Sequence, residues 1–361
     1  MKASVGYPDL GAIVYPAGIP DGVADELPAL YGTLLSTVDW FEVQDEVMAT
    51  GACILERPRH VLLFYRNKDT VEILNKEFAI APLDAERACR ALFRALPRAR
   101  RIHVEIMFPP GELRLPKRVL YGTDHMVIDL PASADAYTAS LGKKTRQQVR
   151  RSRRDIEKER GPITIETVSP VGDIDELLST LISWKNLRFN AKGRTTLWQE
   201  NPKAAGYVAE LARRRGRVRI ASIAGARAAI QFLFPVGASM YVMQSGFDPT
   251  FSSYGLGLLE TYDIACEAIE EGLLRLSLFW GEEGHKAHLG ARPRRATRLS
   301  VFRSQAARVY SLGEAREVAA RDLRRGGQRY YWWARHAAGR ALRTVRPGHH
   351  DESGRPRGHR E

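Results

Sequence analysis

Three β-rich runs follow one another closely at 217–224, 226–235 and 238–246, and a glycine-punctuated turn then feeds a helix over 257–271. This order constrains the fold more than any other feature. The links Ala224-Gly225-Ala226-Arg227 and Val236-Gly237 have hairpin composition, so the runs pair antiparallel. The turn itself reads Ser252-Ser253-Tyr254-Gly255-Leu256-Gly257. Glycines at two of its positions let backbone approach a ligand. The free N–H groups of the following helix then point outward with partial positive charge, which suits a pyrophosphate. A further strand is expected at 274–279, an irregular stretch at 281–292, and a strand at 297–303.

Upstream, Gly161-Pro162 stops a basic helix over 143–160. A strand at 163–168 and helices near 173–190 and 203–215 follow. Ser133 and Asp135 can cap a short helix after a run at 125–130. Earlier still, 1–24 reads as an irregular lead-in and 25–38 as a helix. Short β runs stand at 51–55, 60–66 and 71–74. A helix is expected at 84–96, with Asp84 as N-cap and Pro97 as stop. Residues 101–108 alternate as a half-buried strand does. The fold class is therefore α/β (α+β).

The chain of 361 residues is long enough for two domains. No window approaches the ~18 apolar residues of a membrane span. Nothing near Met1 reads as a signal-peptide core, so a cytoplasmic protein is expected. Cys53, Cys89 and Cys266 lie far apart in apolar runs and are expected to be buried and reduced. The net charge is +13, and residues 143–160 and 323–361 supply the whole excess. The basicity is thus two local devices rather than a general nucleic-acid coat.

The run 217–303 resembles the GNAT acetyltransferases, whose Q/R-x-x-G-x-G/A turn binds the pyrophosphate of acyl-CoA. Gly255 and Gly257 match its glycines, and Ser252 stands where Arg or Gln is usual. The resemblance therefore implies an acyl-CoA without singling out acetyl-CoA, and no permanently bound cofactor. It also implies that the strand before the turn receives the pantetheine. That would set Gln244, Ser245 and Phe247 beside the thioester, with Gly255, Leu256 and Gly257 at the phosphates. Over 125–303 the chain is similar to the CelD-type subgroup of cellulose and exopolysaccharide biosynthesis. Lys143–Arg151, Gly246-Phe247-Asp248-Pro249 with Phe251 and Tyr254–Gly257, and Gly281-Glu282-Glu283-Gly284-His285-Lys286 carry that similarity. The subgroup, like the Fem-type aminoacyltransferases, resembles two GNAT-like halves in tandem, each a mixed, mostly antiparallel sheet flanked by helices. The implied organisation is 1–124, 125–305, and a basic aromatic helix and disordered tail at 306–361.

Acceptor chemistry would fall to the 281–286 segment. Lys286 could steady an oxyanion or hold an anionic acceptor, or be a surface lysine. His285 could be a general base or fill the place of a packed aromatic. Glu282 could orient Lys286 or take a proton. His285 and His288 lack a third ligand of suitable spacing, so no metal is expected. Gln231 and Gln244 are polar residues within β runs, facing either an acceptor or satisfied partners. Lys185 and Arg188 share a helix face, and related proteins carry a similar helix beside the acceptor cleft. The helix 143–160 is either a solvated face or a surface for a phosphate-rich partner. The aromatic–basic tail around 329–346 suits an anionic membrane surface at the inner face, docking onto the body, or, less readily, nucleic acid. The expected activity is N-acyl transfer from acyl-CoA to an amine-bearing small molecule or sugar in polysaccharide or cell-envelope synthesis. A Fem-like transferase using aminoacyl-tRNA and a non-catalytic scaffold are the alternatives.

Overall fold

Short apolar runs punctuated by Gly, Pro and Asn become strands, and a computed structural model assembles them into one sheet. It describes residues 3–311 except 45–46, 169–171, 192, 194 and 281–283, and the backbone alone of 197, 284 and 285. The strands are β1 (Val5–Tyr7), β2 (Ala12–Tyr15), β3 (Gly51–Glu56), β4 (Arg59–Asn67), β5 (Thr70–Ile73), β6 (Arg101–Ile106), β7 (Lys117–Asp129), β8 (Ile163–Val168), β9 (Arg217–Ile223), β10 (Ala226–Val236), β11 (Ser239–Phe247), β12 (Arg275–Trp280) and β13 (Arg292–Phe302). The longer helices are α1 (Pro82–Ala95), α2 (Ala134–Ser140), α3 (Lys143–Glu159), α4 (Ile174–Asn190), α5 (Lys203–Arg215) and α6 (Leu256–Glu270).

Local chemistry explains most boundaries. Ala224 and Gly225 both take positive φ, the twist a two-residue hairpin between β9 and β10 requires. Ser133 caps α2 by accepting from the Ala136 amide at 3.1 Å. Thr145, Val149, Ser152 and Ile156 form the buried stripe of α3 at helical spacing. Three expectations need correction. The lead-in holds β1 and β2, and β2 pairs along β3. The single helix at 25–38 is two short ones, Leu27–Tyr31 and Val38–Val43, because Gly32 takes the left-handed conformation that ends the first. Asp84 does not cap α1. Pro82 begins the helix one turn earlier than Asp84 allows, and Asp84 instead pairs with Arg87 at 2.7 Å.

The sheet has thirteen strands in the order β1-β2-β3-β4-β5-β6-β13-β7-β12-β11-β10-β9-β8. Its two flanks repeat one plan. The ladders from β2 through β5 are antiparallel, and β5 pairs parallel with β6. The ladders from β8 through β11 are likewise antiparallel, and β11 pairs parallel with β12. A helix makes the crossover each time, α1 in the first half and α6 in the second. This is the expected tandem of mixed, mostly antiparallel halves. The halves also exchange their final strands. β7 closes the second half against β12, β13 closes the first against β6, and the two pair with each other at the centre. The expected boundary at 124/125 therefore falls inside β7, and Met1–Arg308 form one compact unit.

One apolar core runs across both halves on one face, joining Phe41, Phe64 and Phe78 to Phe232, Tyr241 and Phe279. Two smaller clusters sit under α2, α3 and α6 on the other face. Cys53 and Cys89 are buried, free thiols, and Cys266 is half-buried. Burial pushes the Cys89 thiol up to about 12, far from the thiolate form. Among the described residues no helix is long and apolar enough to cross a membrane. The aromatic–basic tail lies outside the described residues.

Candidate functional site

β11 and β12 form a fork. Their parallel ladder runs only from Ser239↔Arg275 to Tyr241↔Ser277. Beyond that pair β11 follows β10 to Phe247, with a register shift opposite Phe232/Leu233. β12 bends away, its ladder with β7 interrupted between Ser277 and Trp280. Phe279 sits in that interruption with φ of 53°, a conformation non-glycine residues take rarely. Its burial between Trp40 and Tyr241 rings holds it there. The β11 edge from Val242 to Phe247 consequently has no ladder partner on the β12 side, leaving backbone groups to face the gap.

Side chains along the fork divide between the two faces. Gln244, opposite Phe232 in register, accepts from Lys185 Nζ of α4 at 2.7 Å. Two residues proposed separately from sequence are therefore one contact. Ser245 lies opposite Gln231, on the α6 face. The Arg188 guanidinium lies 4.8 Å from the Phe247 ring centre, a cation–π distance.

The glycine turn is more occupied than its sequence implies. Gly255 has φ of 71°, and a β-carbon there would stand 3.2 Å from Ser152 Oγ and 3.3 Å from Gln148 Nε2 of α3. At Gly257 a β-carbon would stand 2.8 Å from the Phe247 ring. The Phe247 ring thus takes up the space on the side-chain side of Gly257. The carbonyl of Gly255 receives Leu258 and Leu259, so the Leu256 and Gly257 amides at the first turn have no intrahelical acceptor. The Leu256 side chain is buried.

α3 lies beside this helix end. Arg153 pairs with Asp263 of α6 at 2.5 Å, and Arg160 Nε donates to Tyr254 Oη at 3.1 Å. Lys143, Lys144, Arg150, Arg151 and Arg154 stay exposed. Burial raises the Asp263 carboxyl to about 6 even with Arg153 beside it.

Gln231 does not open on a cleft. Its Nε2 donates to Glu260 Oε2 at 3.0 Å, and its Oε1 accepts from Arg219 Nη1 at 3.4 Å. Arg219 is 0% exposed, pairs with the fully buried Glu260 and donates to Glu267 Oε1 at 2.8 Å. Burial raises the Glu260 carboxyl. Burial also works against charge on Arg219, but Glu260 and Glu267 outweigh it. Gln231 completes a buried ion network beneath α6, so its expected acceptor role is corrected to a scaffold role.

Lys286 follows the other prong. Its Nζ donates to the carbonyls of Leu278 and Trp280, both at 2.9 Å. The ammonium clasps the bent end of β12. Glu282 and the His285 side chain lie outside the described residues. Sequence reasoning missed a buried pair beside the same prong. His125, 2% exposed, pairs through Nδ1 with Glu77 and accepts at Nε2 from Trp280 Nε1 at 2.9 Å. The Glu77 amide in turn donates to Glu105 at 3.0 Å. A histidine opening the run at 125–130 was visible, but nothing local linked it to Glu77. Beside Glu77 lies a cavity of about 90 Å³, lined also by Tyr241, Arg275 and Ser277.

Residues 143–287 match the acetyltransferase (GNAT) domain family. Among solved structures, FemX is 12% identical, with a TM-score of 0.59 over 81% of this chain and 98% of that one. A conserved protein of unknown function from Bacteroides thetaiotaomicron is 11% identical, with a TM-score of 0.51 over 80% and 100%. At such identities these likenesses concern the fold alone. Comparison with curated proteins gives no match. The forked parallel pair, the crossover helix and the match over residues 143–287 together give this chain a GNAT-like fold.

Proposed function

We propose that the protein is an N-acyltransferase that moves an acyl group from acyl-CoA to an amine. The fork between β11 and β12 carries this reading. A thioester laid along the open β11 edge would meet the backbone N–H groups of 242–247, which polarise its carbonyl. The amides of Leu256 and Gly257 would meet the pyrophosphate. Gln244, fixed by Lys185, and Ser245 would border the thioester from opposite faces. The amine attacks the carbonyl carbon, and a base beside the fork takes its proton. Glu282 and His285 stand next to the β12 prong in sequence and suit that role. The similarity of 143–151, 246–257 and 281–286 to the CelD-type subgroup supports an acceptor from polysaccharide or cell-envelope synthesis. Calorimetric titration of the full chain with acetyl-CoA and longer acyl-CoAs tests the donor. Binding that Gly255→Glu removes is expected; no binding to the wild type sinks the assignment.

Phe247 filling the space at Gly257 favours a second reading, a Fem-like transferase fed by aminoacyl-tRNA, because such a donor needs no pyrophosphate cradle. The exposed cations of α3 would then meet RNA phosphates. Binding of tRNA that falls steeply with salt, without acyl-CoA binding, selects this reading over the first.

A further inference from the structure

The cavity beside Glu77 lies at the base of the fork. Tyr241 and Ser277 form the last pair of the β11–β12 ladder, and both line it. It is polar in an ordered way. Ser277 is 3% exposed, and its Oγ has no hydrogen-bond partner. Such a buried hydroxyl normally has one, and the cavity is the space from which a bound molecule would supply it. Arg275, two residues earlier on the same face of β12, forms no ion pair among the described residues and lines the same cavity. Arg294 lines it too, but Asp129 already engages it. Along β7 the register runs Asp129↔Arg275, Val127↔Ser277, His125↔Trp280. The cavity therefore passes from a cation at Arg275, past the Ser277 hydroxyl, toward the carboxylate of Glu77 held by His125. That direction is also the direction in which the fork opens. A second carboxylate, Glu105, stands behind Glu77.

We infer that this cavity is the acceptor pocket and that the acceptor is a small amino acid, its carboxylate on Arg275 and Ser277 and its ammonium at Glu77. The inference rests on the acyl-transfer reading. The volume of about 90 Å³ admits roughly six water-sized groups. The bound ammonium loses one proton to the Glu77–His125 pair and onward to water. The nitrogen then attacks the thioester carbonyl carbon. The C–S bond breaks with its electrons on sulphur, and sulphur takes the second amine proton, leaving an amide and a free thiol.

Saturation-transfer NMR and calorimetry on the full chain test this with glycine, L-alanine, β-alanine and 4-aminobutyrate. L-Alaninamide and propionate serve as probes lacking one charge each. At least one of the four amino acids is expected to bind ~10-fold or more tighter than both single-charge probes, since each buried charged hydrogen bond counts for about that much. Arg275→Gln is expected to abolish the preference for the carboxylate while leaving the thermal midpoint near wild type. Ser277→Ala should weaken binding severalfold. No binding by any of the four, or equal binding of L-alanine and L-alaninamide, overturns the inference. Acyl-CoA titration run in parallel separates the claims. Amino-acid binding without acyl-CoA binding removes only the donor, and the reverse removes only this pocket.

Discussion

The Phe247 ring lies against Gly257, so close that a β-carbon on that residue would stand 2.8 Å away. Alanine in place of helical glycine ordinarily gains up to ~1 kcal/mol. Here Gly257→Ala is expected to lose about 1–3 kcal/mol, as overpacked sites do. Urea denaturation checks the sign. Phe247→Ala in the same chain should restore the ordinary gain, because the ring that forbids the methyl is gone.

Glu260→Gln should be among the most damaging single changes, at about 3–5 kcal/mol. It removes the charge facing Arg219, which is 0% exposed. Gln231→Leu should cost less, because Arg219 keeps both carboxylates. Chemical denaturation of the two variants orders them. Equal losses would mean that Gln231, and not the ion pair, holds the network.

Stability should fall as pH rises through the titration of Asp263. Its carboxyl is raised from 3.8 to about 6, so the folded chain holds a proton that the unfolded chain releases. The proton's contribution is full below pH ~4 and lost above ~6. With Arg153 opposite and part of the group near solvent, the effect is at most ~3 kcal/mol. Asp263→Asn should flatten the stability profile across this window, as thermal midpoints measured from pH 4 to 7 will read.

Lys286→Met separates a clasp from a catalytic charge. Loss of the two carbonyl contacts should lower stability by about 1–3 kcal/mol and weaken acyl-CoA binding in step. A normal melting profile with transfer activity lost would assign Lys286 to chemistry instead.

The parts of this fold legible in sequence are those whose causes are local. The hairpin at Ala224–Gly225, the Ser133 cap and the stop of α3 before Gly161-Pro162 each follow from residues a few positions apart. The glycine turn was legible as a turn, yet its neighbour was not, because Phe247 approaches Gly257 through the fold. The same holds for the pairing of Lys185 with Gln244 and of Glu77 with His125. Gln231 misled because a polar residue in a strand looks alike whether a ligand or a buried arginine satisfies it. β2 was missed because its run is only four residues long and gains its support from β1 and β3.

The exchange of β7 and β13 has a consequence for synthesis. The first half lacks its closing strand until residues up to Phe302 have been made, since β13 supplies it. At ~5–20 residues per second, β6 waits many seconds with an unpaired edge. A nascent chain arrested before β13 should therefore be open to proteases and chaperones along β6. The first half, though made first, is finished last, by a strand that lies beyond the whole of the second.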